Sequence, residues 1–212
     1  MFAEISSDLN IPSLHRIYAT VRRLRQSLGF GVHSPYIYGL QTDVFRERRP
    51  YYAYEAIERL SDDREARVNK LLFRLANHFR PENVVGVGPD GDRGLECMSL
   101  ACRGMRCHML LPPDGPVSTG LLRQALGEGG EIGFLYIAHP RVCAEAYEAA
   151  LPLAGDRSLF IIKGIHACKE LSAWWKSVEH DAARTGITFD LYDVGLVFFD
   201  RKRPRRNYKM MF

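Results

Sequence analysis

The chain has no run of about 18 consecutive apolar residues, so no stretch reads as a membrane-crossing helix. Its first ten residues hold two acids and no apolar segment flanked by basic ones, which argues against a secretory signal. Cysteine is sparse. Five residues, an odd number with no Cys-x-x-Cys pair, exclude a disulfide framework and suit a reducing, cytoplasmic setting. Cys97, Cys102 and Cys107 recur at five-residue steps, but the first two fall on an expected helix and the third on a strand, so they do not read as a zinc site. Low-complexity linkers and internal repeats are absent. Charge of one sign is also in short supply: a net +4 describes an ordinary solvated surface. Basic residues do gather toward both ends, which keeps a nucleic-acid partner open.

What is present is a core. At 212 residues and 46% hydrophobic, the chain suits one large domain with a small appendage. Residues 13–28 carry Leu14, Ile17, Val21, Leu24 and Leu28 at helical spacing, an apolar stripe fit for the core or for a second copy of the chain. Residues 62–79 form a second amphipathic helix, closed by Pro81. The stretch 84–96, Val-Val-Gly-Val-Gly-Pro-Asp-Gly-Asp-Arg-Gly-Leu-Glu, reads as a buried strand, a glycine turn and the start of a helix. That order is the first unit of a doubly wound sheet, in which a nucleotide-like ligand lies at the carboxyl ends of the strands. Strands at 107–111, 132–137 and 158–162 alternate with helices at 117–126, 142–151 and 168–183. Strands at 187–192 and 196–199, joined through Asp193, Val194 and Gly195, form a closing antiparallel hairpin. The pattern of six strands predicts an α/β fold with a mostly parallel sheet, one reversed strand and helices on both faces.

Several residues invite chemistry. The broken loop 29–36 carries His33, Ser34 and Tyr36 toward a substrate cleft, or else Phe30 and Tyr36 plug a groove and His33 bonds a backbone carbonyl. His139 and His166 follow strands and face the same cleft, where either suits a general base or is a loop histidine without chemistry. Asp90 and Asp92 in the glycine turn, and Asp114 after the next strand, are carboxylates for a ligand or helix-capping turn residues. The tail Arg201-Lys202-Arg203-Pro204-Arg205-Arg206 is suited to a polyanion, or to guarding a sheet edge with charge and proline.

The glycine turn after the first strand and the terminal hairpin resemble class I S-adenosylmethionine-dependent methyltransferases. The likeness is nearest to a bacterial group of small O-methyltransferase-like proteins. It is carried by Phe-Gly-Val-His-Ser-Pro at 30–35, Leu-Leu-Phe-Arg-Leu at 71–75, Gly-Leu-Val-Phe-Phe at 195–199 and the phenylalanine at 212. The resemblance implies a Rossmann-like methyltransferase domain over 61–212, its mostly parallel sheet seven-stranded with a C-terminal antiparallel hairpin, preceded by a helical extension and loop over 1–60. It implies S-adenosylmethionine as cofactor, contacted by Gly86, Gly88, Asp90, Gly91, Asp92 and Asp114, and a small-molecule acceptor near His33, Ser34, Tyr36 and Lys163. His139 or His166 would then be the base. The chain departs from the family at four points. Gly86 stands where an acid precedes the turn, Leu110-Leu111 where the ribose-binding acid ends the second strand, Ile137-Ala138 for an Asp-Gly pair, and Lys163-Gly164 for an Asp-Asp pair. A lysine repels a divalent cation, so no metal is expected. The first expectation is a methyltransferase-like protein, weak or inactive as an enzyme. The alternatives are an active small-molecule O-methyltransferase and a binding module for nucleic acid or an acidic protein.

Overall fold

The structure is a computed structural model that describes residues 34–111, 116–127 and 129–212, apart from the Asp63 side chain. The helix expected at 13–28, His33 and Asp114 lie outside the described residues. The chain enters through α1 (Pro35–Leu40), a five-residue π-helical turn (Gln41–Phe45), α2 (Tyr54–Arg59) and α3 (Asp63–Phe79). Then follow β1 (Asn83–Val87), α4 (Gly91–Ser99), β2 (Arg106–Leu110), α5 (Thr119–Leu126), β3 (Ile132–Ile137), α6 (Cys143–Ala150), β4 (Ala154–Lys163) and α7 (Lys169–His180). Strands β5 (Thr188–Asp190), β6 (Val194–Phe198) and β7 (Asn207–Lys209) complete the sheet.

Local rules explain the boundaries. Asp62 caps α3 by accepting from the Glu65 N–H at 2.9 Å, and Arg80 ends it in the left-handed region at φ 49° ahead of Pro81. Ser118 caps α5 in the same way, accepting from Leu121 N–H at 3.2 Å.

The seven strands lie in the order β2-β1-β3-β4-β6-β5-β7. Strands β2, β1, β3 and β4 pair in parallel, β6 runs antiparallel to both its neighbours, and β7 pairs in parallel with β5. One strand of seven is therefore reversed, as the sequence predicts. The hairpin turn sits earlier than expected, at Leu191–Asp193, with Val194 and Gly195 inside β6. Tyr192 takes φ 73° there, a conformation costly for a side chain with a Cβ.

Each face of the sheet has its own core. On one, Val84, Phe134, Tyr136, Ile161 and Phe189 pack against α1, α3 and α4 through Ile37, Leu71, Leu75 and Met98. On the other, Val85, Leu135, Ile137, Phe160 and Val197 meet α5, α6 and α7 through Leu122, Tyr147 and Trp175. The chain leaves β1 toward β2 on the first face and β2 toward β3 on the second. The winding thus switches between β1 and β3, and ligands of such sheets sit at the carboxyl side of that switch. Residues 35–45 belong to the first core: Ile37, Leu40, Val44 and Phe45 are buried in it. Arg74 ties them down, donating to the Val44 and Phe45 carbonyls and to the Tyr54 hydroxyl.

Candidate functional site

The carboxyl ends of β1, β3, β4 and β5 form one rim, and the glycine turn is its centre. Gly88 has φ 100°, accessible to glycine at little cost, and its N–H donates to the Leu110 carbonyl at 3.2 Å. A Cβ built on Gly88 would stand 2.8 Å from the Cβ of His139. The end of β1 and the start of the loop after β3 therefore touch across the switch point. The other glycines are there for packing. A Cβ at Gly86 would meet the Leu95 side chain at 2.8 Å, one at Gly91 the Met109 Cε at 2.8 Å, and one at Gly94 the Tyr136 ring at 2.2 Å. Glycine 94 lets α4 lie directly on the sheet, the role a late glycine has in this type of turn.

Asp90 and Asp92 project from the turn and are exposed. Asp92 accepts from the Arg93 N–H at 2.8 Å, so it serves the helix start, while Asp90 occupies the cap position without a side-chain cap bond. His139 stands half-buried above Gly88, and its Nδ1 accepts from the Arg141 N–H at 3.3 Å, which opens the short turn before α6. Lys163 ends β4. Its Nζ donates to Glu65 Oε1 of α3 at 3.0 Å, and Arg93 reaches the other oxygen of Glu65 at 3.4 Å. Next to that network, Asp193 in the β5–β6 turn holds Arg64 at 2.6 Å and Arg67 at 2.8 Å. The first turns of α3 are thus fastened to the ends of β4 and β6 by two carboxylates shared among four cations. His166 lies farther along the rim, with Nε2 3.0 Å from the buried Asp190 carboxylate.

Tyr36 and Ser34 are elsewhere. Tyr36 lines a cavity with Asn83, Ile132, Ser158 and Phe198, at the amino ends of β1, β3 and β4. Arg203 stacks on its ring at 3.6 Å, and burial pushes the phenol up against the opposing pull of that cation. Ser34 caps the same α1, two residues away, accepting from the Tyr38 N–H at 3.0 Å through its carbonyl. The expectation of a single cleft that gathers Ser34, Tyr36 and Lys163 is corrected: α1 enters at the opposite end of the sheet from Lys163. The broken loop signalled a special conformation, but its sequence could not say which end of the sheet it meets.

Sequence reasoning also missed Glu65, Asp190 and Asp193. Each partner pair on the rim is far apart in sequence, from 24 residues for His166 and Asp190 to 129 for Arg64 and Asp193. Only Asp193 had a local signal, its place in the hairpin turn.

A methyl donor of the S-adenosylmethionine type presents a ribose diol and cationic groups, which carboxylates hold best. Asp90 stands exposed at the turn without a side-chain cap bond, while other places around the turn are taken. The space beside Gly86 is filled by Leu95 and Met109, Leu111 is exposed at the end of β2, and Glu65 is already shared by Lys163 and Arg93. Among the described residues no three His, Cys, Asp or Glu side chains converge closely enough to hold a metal ion. No described helix is long and apolar enough to cross a membrane.

No family model matches the sequence, and no curated protein matches it. Solved structures do. An O-methyltransferase from Bacillus cereus in complex with SAH is 12% identical, with 76% of this chain and 96% of that one covered at a TM-score of 0.48. TomG, an O-methyltransferase from Streptomyces achromogenes in complex with SAM, is 13% identical over 77% and 94% at 0.47. The SAH-bound methyltransferase PaMTH1 of Podospora anserina is 9% identical over 92% and 99% at 0.46. The chain is similar to these proteins, and its fold rests on its own strand order: a Rossmann-like, doubly wound sheet of seven strands in which β6 alone is reversed.

Proposed function

We propose that this chain is a methyltransferase-like scaffold whose donor site has lost its grip on S-adenosylmethionine, leaving a protein that transfers methyl groups weakly or not at all and works by binding another molecule. The observation that carries this reading is the Lys163–Glu65–Arg93 network. It sets a cation at the end of β4 and occupies the Glu65 carboxylate of α3. Gly86 supports the reading too, because Leu95 and Met109 fill the volume an acidic side chain would need.

Calorimetric titration of the full chain with S-adenosylmethionine and its demethylated product tests it. The expected outcome is no saturable heat at millimolar ligand. The matching expectation in a melting experiment is an unmoved transition, since a ligand at 100 times its Kd would add about 2.7 kcal/mol. Saturable binding below about 100 µM, roughly −5.5 kcal/mol, would overturn the reading and favour an active O-methyltransferase on a small molecule. Asp90 and Asp92 would then be the carboxylates to replace first, and His139 or His166 the base.

A further inference from the structure

Three groups at the open ends of β4 and β5 form a chain of polar contacts. Asp190, the last residue of β5, has no exposed side-chain surface. Its Oδ1 accepts from the Tyr192 N–H at 3.0 Å, and both carboxylate oxygens lie within 3.1 Å of His166 Nε2. A buried carboxylate is costly unless it is hydrogen-bonded, so the fold commits that anion to the imidazole. Lys209 is 3.9 Å from Asp190, but it is shared with the buried Glu179 at 3.5 Å. The Asp190 anion sets the tautomer: Nε2 carries the proton, and Nδ1 keeps its lone pair. That lone pair lies 3.3 Å from the Ser172 oxygen, whose single proton has a second acceptor in the Ile165 carbonyl at 3.4 Å and turns from it to the imidazole for the reaction. The Tyr192 ring, 5.5 Å away, lies against the imidazole and steadies it.

Ser172 sits in the second turn of α7, beside a depression of about 520 Å³ lined by His166, Cys168, Lys169, Ser172 and Lys176.

We propose that Ser172, His166 and Asp190 form a nucleophilic relay that hydrolyses small carboxylic esters bearing a negative charge. Ser172 Oγ attacks the ester carbonyl carbon and passes its proton to His166 Nδ1, while Asp190 stabilises the imidazolium. The carbonyl C–O bond then breaks, and the same proton goes to the departing alkoxide. Water repeats the sequence on the acyl-serine: its proton goes to His166, its oxygen joins the acyl carbon, and Ser172 is regenerated as the acid leaves. Lys169 and Lys176 flank the depression and favour an anionic ester over a neutral one.

The test uses the full chain and two readouts. A fluorophosphonate probe is added and the adduct located by peptide mass spectrometry, and hydrolysis of 4-nitrophenyl hemisuccinate is compared with that of 4-nitrophenyl acetate. The expected result is a single adduct on Ser172, with the hemisuccinate the better ester. Both signals vanish in Ser172→Ala, and acylation slows by about 10²-fold or more in His166→Ala. Circular dichroism shows that each variant is folded. Asp190 is a positioning residue, so Asp190→Asn lowers kcat by about 10²-fold or more with KM little changed, which a packing role would not do. No adduct on Ser172, an adduct on Cys168 instead, or hydrolysis unchanged in Ser172→Ala overturns the proposal. An unchanged kcat in Asp190→Asn overturns the part given to Asp190. None of these readouts involves a methyl donor, so they stand or fall apart from the reading of the donor site.

Discussion

Individual side chains in this protein are constrained more by what they touch than by their type. Gly94 is the sharpest case, because a methyl there would overlap the fully buried Tyr136 ring. Gly94→Ala is expected to cost about 1–3 kcal/mol, the usual range for overpacking, and urea unfolding would measure it. Thiols give a second residue-scale test. Burial pushes the Cys97 thiol up to about 11 and the Cys143 thiol up to about 12 from an ordinary 9.0. Both stay protonated in the folded chain at pH 8, so a thiol reagent should modify Cys102, Cys107 and Cys168 in the native protein and reach the buried pair only after unfolding. The same shifts have a thermodynamic sign. A raised folded pKa favours folding below the unfolded value, and that contribution disappears as pH climbs from about 9 through 11 to 12. The melting temperature should therefore fall over that window, and less steeply in Cys143→Ala.

Among the elements, the strands and helices of the α/β alternation were legible because each carries a strong period and a clear stop. Strand β3 appears at the expected 132–137, and α3 within a residue of the expected 62–79. Three pieces were not legible. Strand β7 has three residues and follows a basic, proline-containing tail, so nothing in its own sequence marks it; it forms because β5 offers a free edge. The π-helical turn at Gln41–Phe45 has no sequence signature either, and it depends on Arg74, whose guanidinium takes up the carbonyls of Val44 and Phe45. Removing that buried donor leaves two carbonyls without it. Arg74→Leu is expected to destabilise by about 2–3 kcal/mol, measurable as a shifted denaturation midpoint. The rim was the least legible part. Alignment of strand ends could be foreseen, but the pairing of Lys163 with Glu65, 98 residues apart, needs the helix placed over the sheet first.

For the whole molecule, the charge distribution decides between kinds of partner. The basic tail reads in sequence as a polyanion site or as an edge guard. In the fold its cations are largely engaged: Arg201 donates to the Ala183 carbonyl, Arg203 pairs with Asp200 at 3.0 Å, Arg205 donates to the Glu179 carbonyl and Arg206 lies over the Tyr208 ring. Phosphate binding would have to compete with these contacts. Generic RNA at about 50 mM salt is therefore expected to cause no salt-dependent mobility shift, and a steep loss of binding with added salt would show the tail free to act. The far side of the sheet has a different consequence. Among the described residues strand β2 is paired on one side only, and its exposed Arg106 stands at the start of that row of amides and carbonyls. A guanidinium there makes it costly for another backbone to zip onto the sheet, so a single like-charged residue sets how crowded a solution of these molecules can become before they join edge to edge. Exchanging Arg106 for valine would lower that threshold, and light scattering against concentration would register the onset.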